Sequence, residues 1–464
     1  MKIIKAQLKA DLFPASRKGL GWLLGTGICF AVGFAAKGLL LNPLRFEASG
    51  GEWNGYLTNY FFPSLFSALT LWLWIVIQKT KELPPKTFLL WIMLFGLLFA
   101  GIAALSNPTI QDIYWSMLLT KGWVMSNLNP YLTTPNMLSG DPWLAPFLDF
   151  KDSPMIYGPL WVYLVAGAIY VGKSFAGSLF FIKLVMLAIF LCIGIVLRRI
   201  MHIHRLSPQM QNILLLLLAW NPFILQTLIT DAHSDALILL SILVSYLFFK
   251  EKKYGASAGV LLVGGFAKYT SLFLLPIPLF YLLWKSTFSL REKAVRLGGI
   301  VLLALGMGIL LYAPFGGFET VLGGGMRNAL LELGSIPFSL FPTMAIATTL
   351  NFDTSAIRLL GLLVGIFLMC WYLKKDNSLL AYSFPFLGIF IFGTPWFLPW
   401  YTMWIFPLLL LIFSPLSIIL VSSLLILTPT VISPLTGSYI VASIYIGWKL
   451  LSPHANAPAP RLTE

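Results

Sequence analysis

Four groups of residues in this sequence have types and spacing that could do chemistry. Asp112 lies seven residues beyond an apolar run that ends at Leu105. A carboxylate at such a boundary keeps contact with water, while an apolar wall raises its basicity. That suits a general base taking a proton from a hydroxyl, a role usually worth about 10²–10⁴ in rate; a solvated loop aspartate is the plain alternative. Asp231, His233 and Asp235 form D-A-H-S-D between two apolar runs. Such a turn can hold a divalent metal, bind a sugar through carboxylate hydrogen bonds, or cap the next helix at Asp235. A zinc site would need more ligands, and the other histidines are His202, His204 and His454, away from this turn. Lys268 stands alone in an apolar context, where a lysine costs about 2.5–3.5 kcal/mol at a helix centre and less near the interface. It could hold a lipid phosphate as a point charge, or snorkel to water without function. Arg327, in LGGGMRN, is a second phosphate candidate, since a glycine run lets backbone N–H groups approach an anion; a flexible loop explains the same glycines. Finally, PWFLPWYTMW, with Trp396 and Trp400, has the flat faces on which sugar rings stack, and equally the composition of an interfacial aromatic belt.

The elements that must position these residues are membrane helices. Charged residues are 10 % of the 464 and apolar residues 58 %, whereas a soluble domain carries about 25 % charge. So few charges cannot cover a globule of this size with a solvated surface, which leaves an all-α, polytopic transmembrane protein. Alternating short strands of a barrel are absent from the pattern. The net charge of +14 does not indicate nucleic acid, because the basic residues sit in short clusters between apolar runs, as the positive-inside rule demands. The three cysteines all lie inside apolar segments and form neither a metal spacing nor a disulfide framework.

About 20 helical residues cross a bilayer core of about 30 Å. Spans are predicted over residues 19–41, 56–78 and 87–105. A long polar stretch, 106–157, then lies on the outer face. Residues 157–172 are apolar but short. If they and 175–197 both crossed, Arg198, Arg199 and Arg205 would be external, so 157–172 reads as a re-entrant or interfacial helix. Further spans are predicted over 212–229 and 236–249, then a pair of short helices within 255–284 with Lys268 at their outer turn. Spans over 297–313, 356–373 and 379–392 follow, and apolar stretches at 400–415, 417–431 and 439–451 complete a count of about 13–14. Both termini fall inside. Residues 1–451 form one transmembrane domain: N-terminal helices to 105, an outer loop with its re-entrant helix over 106–172, and a helical core over 173–451. The Pro/Ala-rich tail, 452–464, reads as disordered.

Several pieces together resemble the GT-C superfamily of integral-membrane glycosyltransferases, above all the polyprenyl-phosphate-mannose-dependent mannosyltransferases. They are QDIYWSMLLTKG with Asp112 and Tyr114, NLNPYLTTP with Tyr131, IYGPLW with Tyr157, AWNPFILQTLITDAHSDAL with His233 and Asp235, GGFAKYTSLFLLPIPL with Lys268, and PWFLPWYTMWIFPLLL. The order of the set, over roughly residues 107–410, carries more than any one motif. The chain departs from the pattern in having two spans before the helix that feeds the outer loop, and in having Gly158 where many relatives have proline.

The resemblance implies transfer of a hexose, mannose first, from a polyprenyl-phosphate donor to a lipid or glycan hydroxyl on the non-cytoplasmic face of the plasma membrane. Asp112 matches the acid that opens the first large outer loop. Tyr114, Tyr131, Tyr157, His233, Asp235, Trp396 and Trp400 are then expected at the substrate, with Lys268 and Arg327 at the donor phosphate. A phosphate is already a good leaving group, so the protein must chiefly position and deprotonate the acceptor and stabilise an oxocarbenium-like centre. A single displacement inverts the anomeric carbon. No dinucleotide fingerprint follows a strand, which fits a donor that is not a soluble nucleotide sugar. No cofactor is called for, and a divalent metal at the D-A-H-S-D turn is the one addition the residues would allow. Two other readings compete: a transporter or flippase of lipid-linked sugars, which does no chemistry, and a ligase that moves whole glycans.

Overall fold

The computed structural model describes residues 17–40, 61–108, 111–144, 152–321, 354–388 and 399–427. The described part is helical throughout, without strands among the described residues. The protein is a polytopic all-α membrane protein. The first helices are α1 (Arg17–Leu40), α2 (Phe62–Lys79) and α3 (Pro85–Leu105). Proline at the first position of α3 loses no hydrogen bond there, because that N–H would be an orphan anyway. The 21 residues of α3 reach about 31 Å at about 1.5 Å each, enough for the bilayer core.

The polar stretch after α3 is less of a loop than its composition suggests. It contains α4 (Asp112–Ser126), whose residues from Ile113 to Thr120 are all buried. DIYWSMLLTKGWVMS has no proline, and its polar face, Asp112, Ser116 and Thr120 at every fourth position, turns into the protein, where Ser116 Oγ accepts from the Trp161 indole N–H at 3.2 Å. Asn127, left-handed at φ 53°, ends it, its N–H bonding back to the last turn.

Next come α5 (Pro159–Gly172) and α6 (Phe175–Ile203). The 14 residues of α5 reach only about 21 Å. Both its ends lie beside the start of α4: Tyr157 before it donates to Asp112, and Phe175 after it stacks on Tyr114 with ring centroids 5.6 Å apart. The segments on either side of α5 thus both contact the first turn of α4. The 29 residues of α6 exceed the bilayer core and carry Arg198 and Arg199 on the far end. Ser174 caps its start by accepting from the Gly177 N–H.

The span predicted over 212–229 is broken. α7 (Pro208–Ala219) bends by 51° into a second piece that begins at Pro222. Pro222 has no N–H to continue the ladder, and Asn221 caps the new start by accepting from the N–H groups of Phe223 and Ile224. This piece ends in a π-turn, Gln226–Thr230.

Then α8 (Asp235–Lys250) and α9 (Tyr254–Gly265) run antiparallel. A tight turn with Lys252 at φ 61° joins them, so their other ends meet as well. Beyond α9 the chain turns at Lys268 and returns through short helices, as predicted. α10 (Leu290–Tyr312) starts with a capping box between Ser289 and Glu292. α11 (Thr354–Lys374) and α12 (Pro415–Leu427) complete the long described helices.

Five described helices are long and apolar enough to cross a membrane, and a sixth if α7 and its bent continuation count as one. The stretch predicted over 400–415 is not one such helix: it holds a 3-10 turn, Pro399–Trp404, and a seven-residue helix, Phe406–Ile412, which stops before Pro415. The stretch 439–451 and the tail lie outside the described residues.

Candidate active site

Four elements that are distant in sequence converge on Asp112. α4 places it in its first turn, where the partial positive charge of a helix N-terminus favours a carboxylate. Tyr157 reaches it from just before α5, its hydroxyl donating to Asp112 Oδ2 at 2.7 Å. His233 reaches it from the turn before α8, with Nε2 3.0 Å from the same oxygen. The other ring nitrogen of His233, Nδ1, meets Asp235 Oδ2. Asp235 in turn accepts from Lys268 Nζ at 3.0 and 3.2 Å and from the indole N–H of Trp404. The result is a continuous alternation of charge: Asp112, His233, Asp235, Lys268.

Local backbone rules explain how the sequence does this. Asp235 is the first residue of α8 and Lys268 lies three residues past α9, so the antiparallel pair closes at these two ends. Gly158 fixes Tyr157 against the same place. Its N–H donates to Ala267 O at 2.9 Å, and the N–H of Leu160 donates to Phe266 O at 2.9 Å. The chains approach so closely that a Cβ on Gly158 would stand 2.1 Å from Phe266 O. This departure from the family pattern therefore has a local cause: two backbone bonds register Tyr157 beside Lys268. A proline would lack the first donor. Tyr131, buried, adds a third clamp by donating from its hydroxyl to Tyr157 O at 2.9 Å.

Around Lys268 stand three aromatic rings, with Nζ 5.5 Å from the Tyr157 centroid, 4.9 Å from Tyr401 and 5.3 Å from Trp404. Each distance suits a cation–π contact.

Exposure divides the chain of charges. The side chains of His233 and Asp235 are 0 % exposed, while Asp112 is 22 % and Lys268 17 % exposed. The two ends of the alternation can therefore meet a ligand; the two middle members are enclosed. Burial pushes the His233 imidazole towards its neutral form. The charges of Asp235 and Asp112 and the contacts with them outweigh burial and raise its pKa to about 9. Burial likewise opposes ionisation of Asp112, but the hydrogen bond and charge of His233, the Tyr157 hydroxyl and the charge of Lys268 hold it below its usual value. At neutral pH the site thus presents a carboxylate at Asp112 backed by an imidazolium.

The remaining expected site residues fall elsewhere or out of view. Tyr114 is turned to the wall, stacked on Phe175, with its hydroxyl donating to Pro108 O at 3.4 Å. Tyr131 acts on the Tyr157 backbone, as above. Trp400 belongs to the 3-10 turn Pro399–Trp404. Trp396 and Arg327 lie outside the described residues. Sequence reading overlooked Tyr401 and Trp404 as individual site residues, although both stand in the PWFLPWYTMW segment it singled out. The D-A-H-S-D turn does not fit a metal. Among the described residues no group of three His, Cys, Asp or Glu could hold one. Both ring nitrogens of His233 face carboxylates, and Asp235 faces Lys268 and Trp404.

Residues 55–285 match the model of the MptA_B family, described as alpha-(1->6)-mannopyranosyltransferase, N-terminal domain. The match includes Asp112, Tyr157, His233, Asp235 and Lys268 and ends before Tyr401 and Trp404. No curated protein and no solved structure matches the chain. The chain is an integral-membrane glycosyltransferase of GT-C-like, mannosyltransferase type, and over residues 55–285 it is similar to the N-terminal domain of the alpha-(1->6)-mannopyranosyltransferases.

Proposed function

We propose that the protein transfers a hexose, mannose in the first place, from a polyprenyl-phosphate donor to a lipid or glycan hydroxyl on the non-cytoplasmic face, with inversion, and that Asp112 is the general base. The observation that carries this reading is the buried alternation Asp112–His233–Asp235–Lys268, open to a ligand only at its two ends. The acceptor hydroxyl meets Asp112 and gives up its proton to that carboxylate as its oxygen bonds to the anomeric carbon. The bond from that carbon to the donor phosphate breaks on the opposite side, and the electron pair leaves on the phosphate.

Lys268 stands at the other end of the charge chain, where a compact ammonium suits the phosphate leaving group. It is already a charge, so it stabilises the departing phosphate without moving a proton. His233 and Asp235 work from behind, orienting and charging the residues at the two ends. The imidazolium at His233 cannot take the proton, which leaves Asp112 as the base. The same imidazolium keeps Asp112 ionised at neutral pH. Tyr157 touches both ends, by its hydroxyl at Asp112 and by its ring at Lys268, and so sets their separation.

The test is transfer itself. Membranes containing the protein are incubated with labelled polyprenyl-phosphate mannose and, separately, polyprenyl-phosphate glucose, and the lipid and glycan products are analysed by mass. A single added hexose with inverted configuration is expected. Movement of donor across vesicles without any new glycoside, or transfer of a whole glycan, would refute the proposal.

A further inference from the structure

Behind the D-A-H-S-D turn lies a second run of polar groups that the transfer chemistry does not use. It starts on α1. Lys37, near the end of that helix, donates from Nζ to Gln226 Oε1. Gln226 Nε2 in turn donates to both carboxylate oxygens of Asp231, at 3.0 Å each. The amide is thus oriented with its acceptor towards the ammonium and its donor towards the carboxylate, as an ion pair bridged by an amide requires. Asp231 is 2 % exposed, and a buried carboxylate must be compensated. Its charge also acts on Lys183 of α6, whose Nζ donates to Ser106 O at the end of α3.

Two features make this run mechanically tight. Gly38, next to Lys37, lies so near the end of α3 that an added Cβ would be 2.8 Å from Ser106 Oγ; α1 is docked just before the segment that delivers Asp112. Gln226 and Asp231 are also joined through the backbone, since the Asp231 N–H closes the π-turn on Gln226 O at 2.8 Å. π-turns of this kind cluster at functional sites. The residue after Asp231 is Ala232, held at φ 48°. A non-glycine residue there is strained and persists only where its surroundings fix it. On the C-terminal side the fixing groups are His233 and Asp235 in the site. On the N-terminal side the fixing group is Asp231, tied through Gln226 to Lys37.

We propose that Lys37, Gln226 and Asp231 form a positioning relay through which the first membrane helix sets the turn that presents His233 and Asp235. The relay gives α1, the described helix that precedes the matched residues 55–285, a task in the site. It makes no contact with the sugar; it acts through the strained Ala232 on the two enclosed members of the charge chain. The inference rests on the reading of Asp112, His233 and Asp235 as the transfer site, and it has a readout that needs no substrate.

The experiment uses the full chain in lipid nanodiscs as wild type, Lys37→Met, Lys37→Arg, Asp231→Asn and the Lys37→Met/Asp231→Asn double variant. Amide hydrogen exchange of the peptide covering residues 227–235 is measured first, without substrate. Exchange in Lys37→Met and in Asp231→Asn is expected to be at least about tenfold faster than in wild type, a loss on the scale of a buried charged hydrogen bond, with Lys37→Arg close to wild type. Wild-type exchange of this peptide in folded Lys37→Met overturns the proposal. Transfer from polyprenyl-phosphate mannose is measured second. Misplacement of catalytic groups by about 1 Å costs up to about 10²-fold, so kcat should fall by about 10- to 100-fold in each single variant while the donor KM stays within about threefold. Lys37→Arg should recover most of kcat. The double variant should be no slower than the slower single, because members of one network do not add; multiplied losses overturn the relay. Should Lys37→Met not fold, Gln226→Leu breaks the same run at its centre and is read in the same two ways. If the wild type transfers nothing from polyprenyl-phosphate sugars, the proposed function falls, and the exchange measurement alone still decides the relay.

Discussion

At one end of α8, Glu251 pairs with Arg199 at 2.6 Å and with Lys253 at 2.7 Å; at the other, Asp235 pairs with Lys268 at 3.0 Å and with His233. The residue types and distances are similar, and the two clusters stand about 23 Å apart along one helix. Their surroundings differ. The Arg199 and Lys253 side chains are 64 % and 59 % exposed, whereas those of His233 and Asp235 are fully enclosed. Water screens the first cluster and competes for its hydrogen bonds, so each pair there adds about 0–1 kcal/mol. In the second cluster His233 and Asp235 cannot exchange each other for water. Each charge there is held by its neighbour, and this sets protonation states and directions as well as energy. Counting ion pairs would rank the two ends alike; burial separates them.

The most severe way to test this contrast is at Asp112. Asp112→Asn keeps the shape and removes the base, so transfer should fall by about 10²–10⁴, read as initial rate in membranes with equal protein content. A rate near wild type would mean that the enclosed chain of charges is structural, no different in kind from the Arg199 cluster. Gly158→Pro comes next. It removes the N–H that donates to Ala267 and pushes a ring towards Phe266 O, shifting Tyr157 from Lys268; a loss of roughly 10² in kcat is expected, measured on protein that still elutes as a folded species. A third test uses pH. The pKa of His233 is raised to about 9, so its contribution to stability is complete below its ordinary value of 6.5 and is lost as pH rises through about 9. Asp112 is lowered from 3.8, so its contribution is present above that value and lost only at more acid pH. Thermal stability should therefore stay level through neutrality and decline near pH 9, and Asp235→Asn should move that alkaline limb downwards. The smallest effect belongs to the exposed cluster. Arg199→Ala should change stability by less than about 1 kcal/mol and leave transfer at the wild-type rate, as read by thermal unfolding and the same assay.

Much of the architecture was legible from composition and spacing. Charge at 10 % forces lipid to cover the surface, and apolar runs of about 20 residues give the helices that cross it. The conflict at Arg198 and Arg199 led to a short helix over 157–172, and a 14-residue helix, α5, does stand there. Lys268 was singled out as a lone charge in apolar surroundings, because a side chain that costs energy in lipid needs a reason to be there, Asp112 by its place just beyond an apolar run, and His233 and Asp235 by the polar D-A-H-S-D turn between two such runs. The predicted loop was misjudged where α4 lies: polar flanks hid a helix buried over Ile113 to Thr120. The break at Asn221 and the change from a 3-10 turn to a helix at Ile405 were missed because a run of apolar residues has no period that reports a bend.

Residue types and their order along the chain determined that this is a helical membrane protein with an acid beside a long polar segment, since transfer energies depend on composition alone. Tertiary structure decided which charges touch. The bond between Lys268 and Asp235 follows from the antiparallel closure of α8 on α9, the place of Tyr157 from two backbone hydrogen bonds at Gly158, and the tie from Lys37 to Asp231 from the docking of α1 at Ser106. None of these distances is written in any local stretch of sequence, because each is set by helices packing against partners tens or hundreds of residues away.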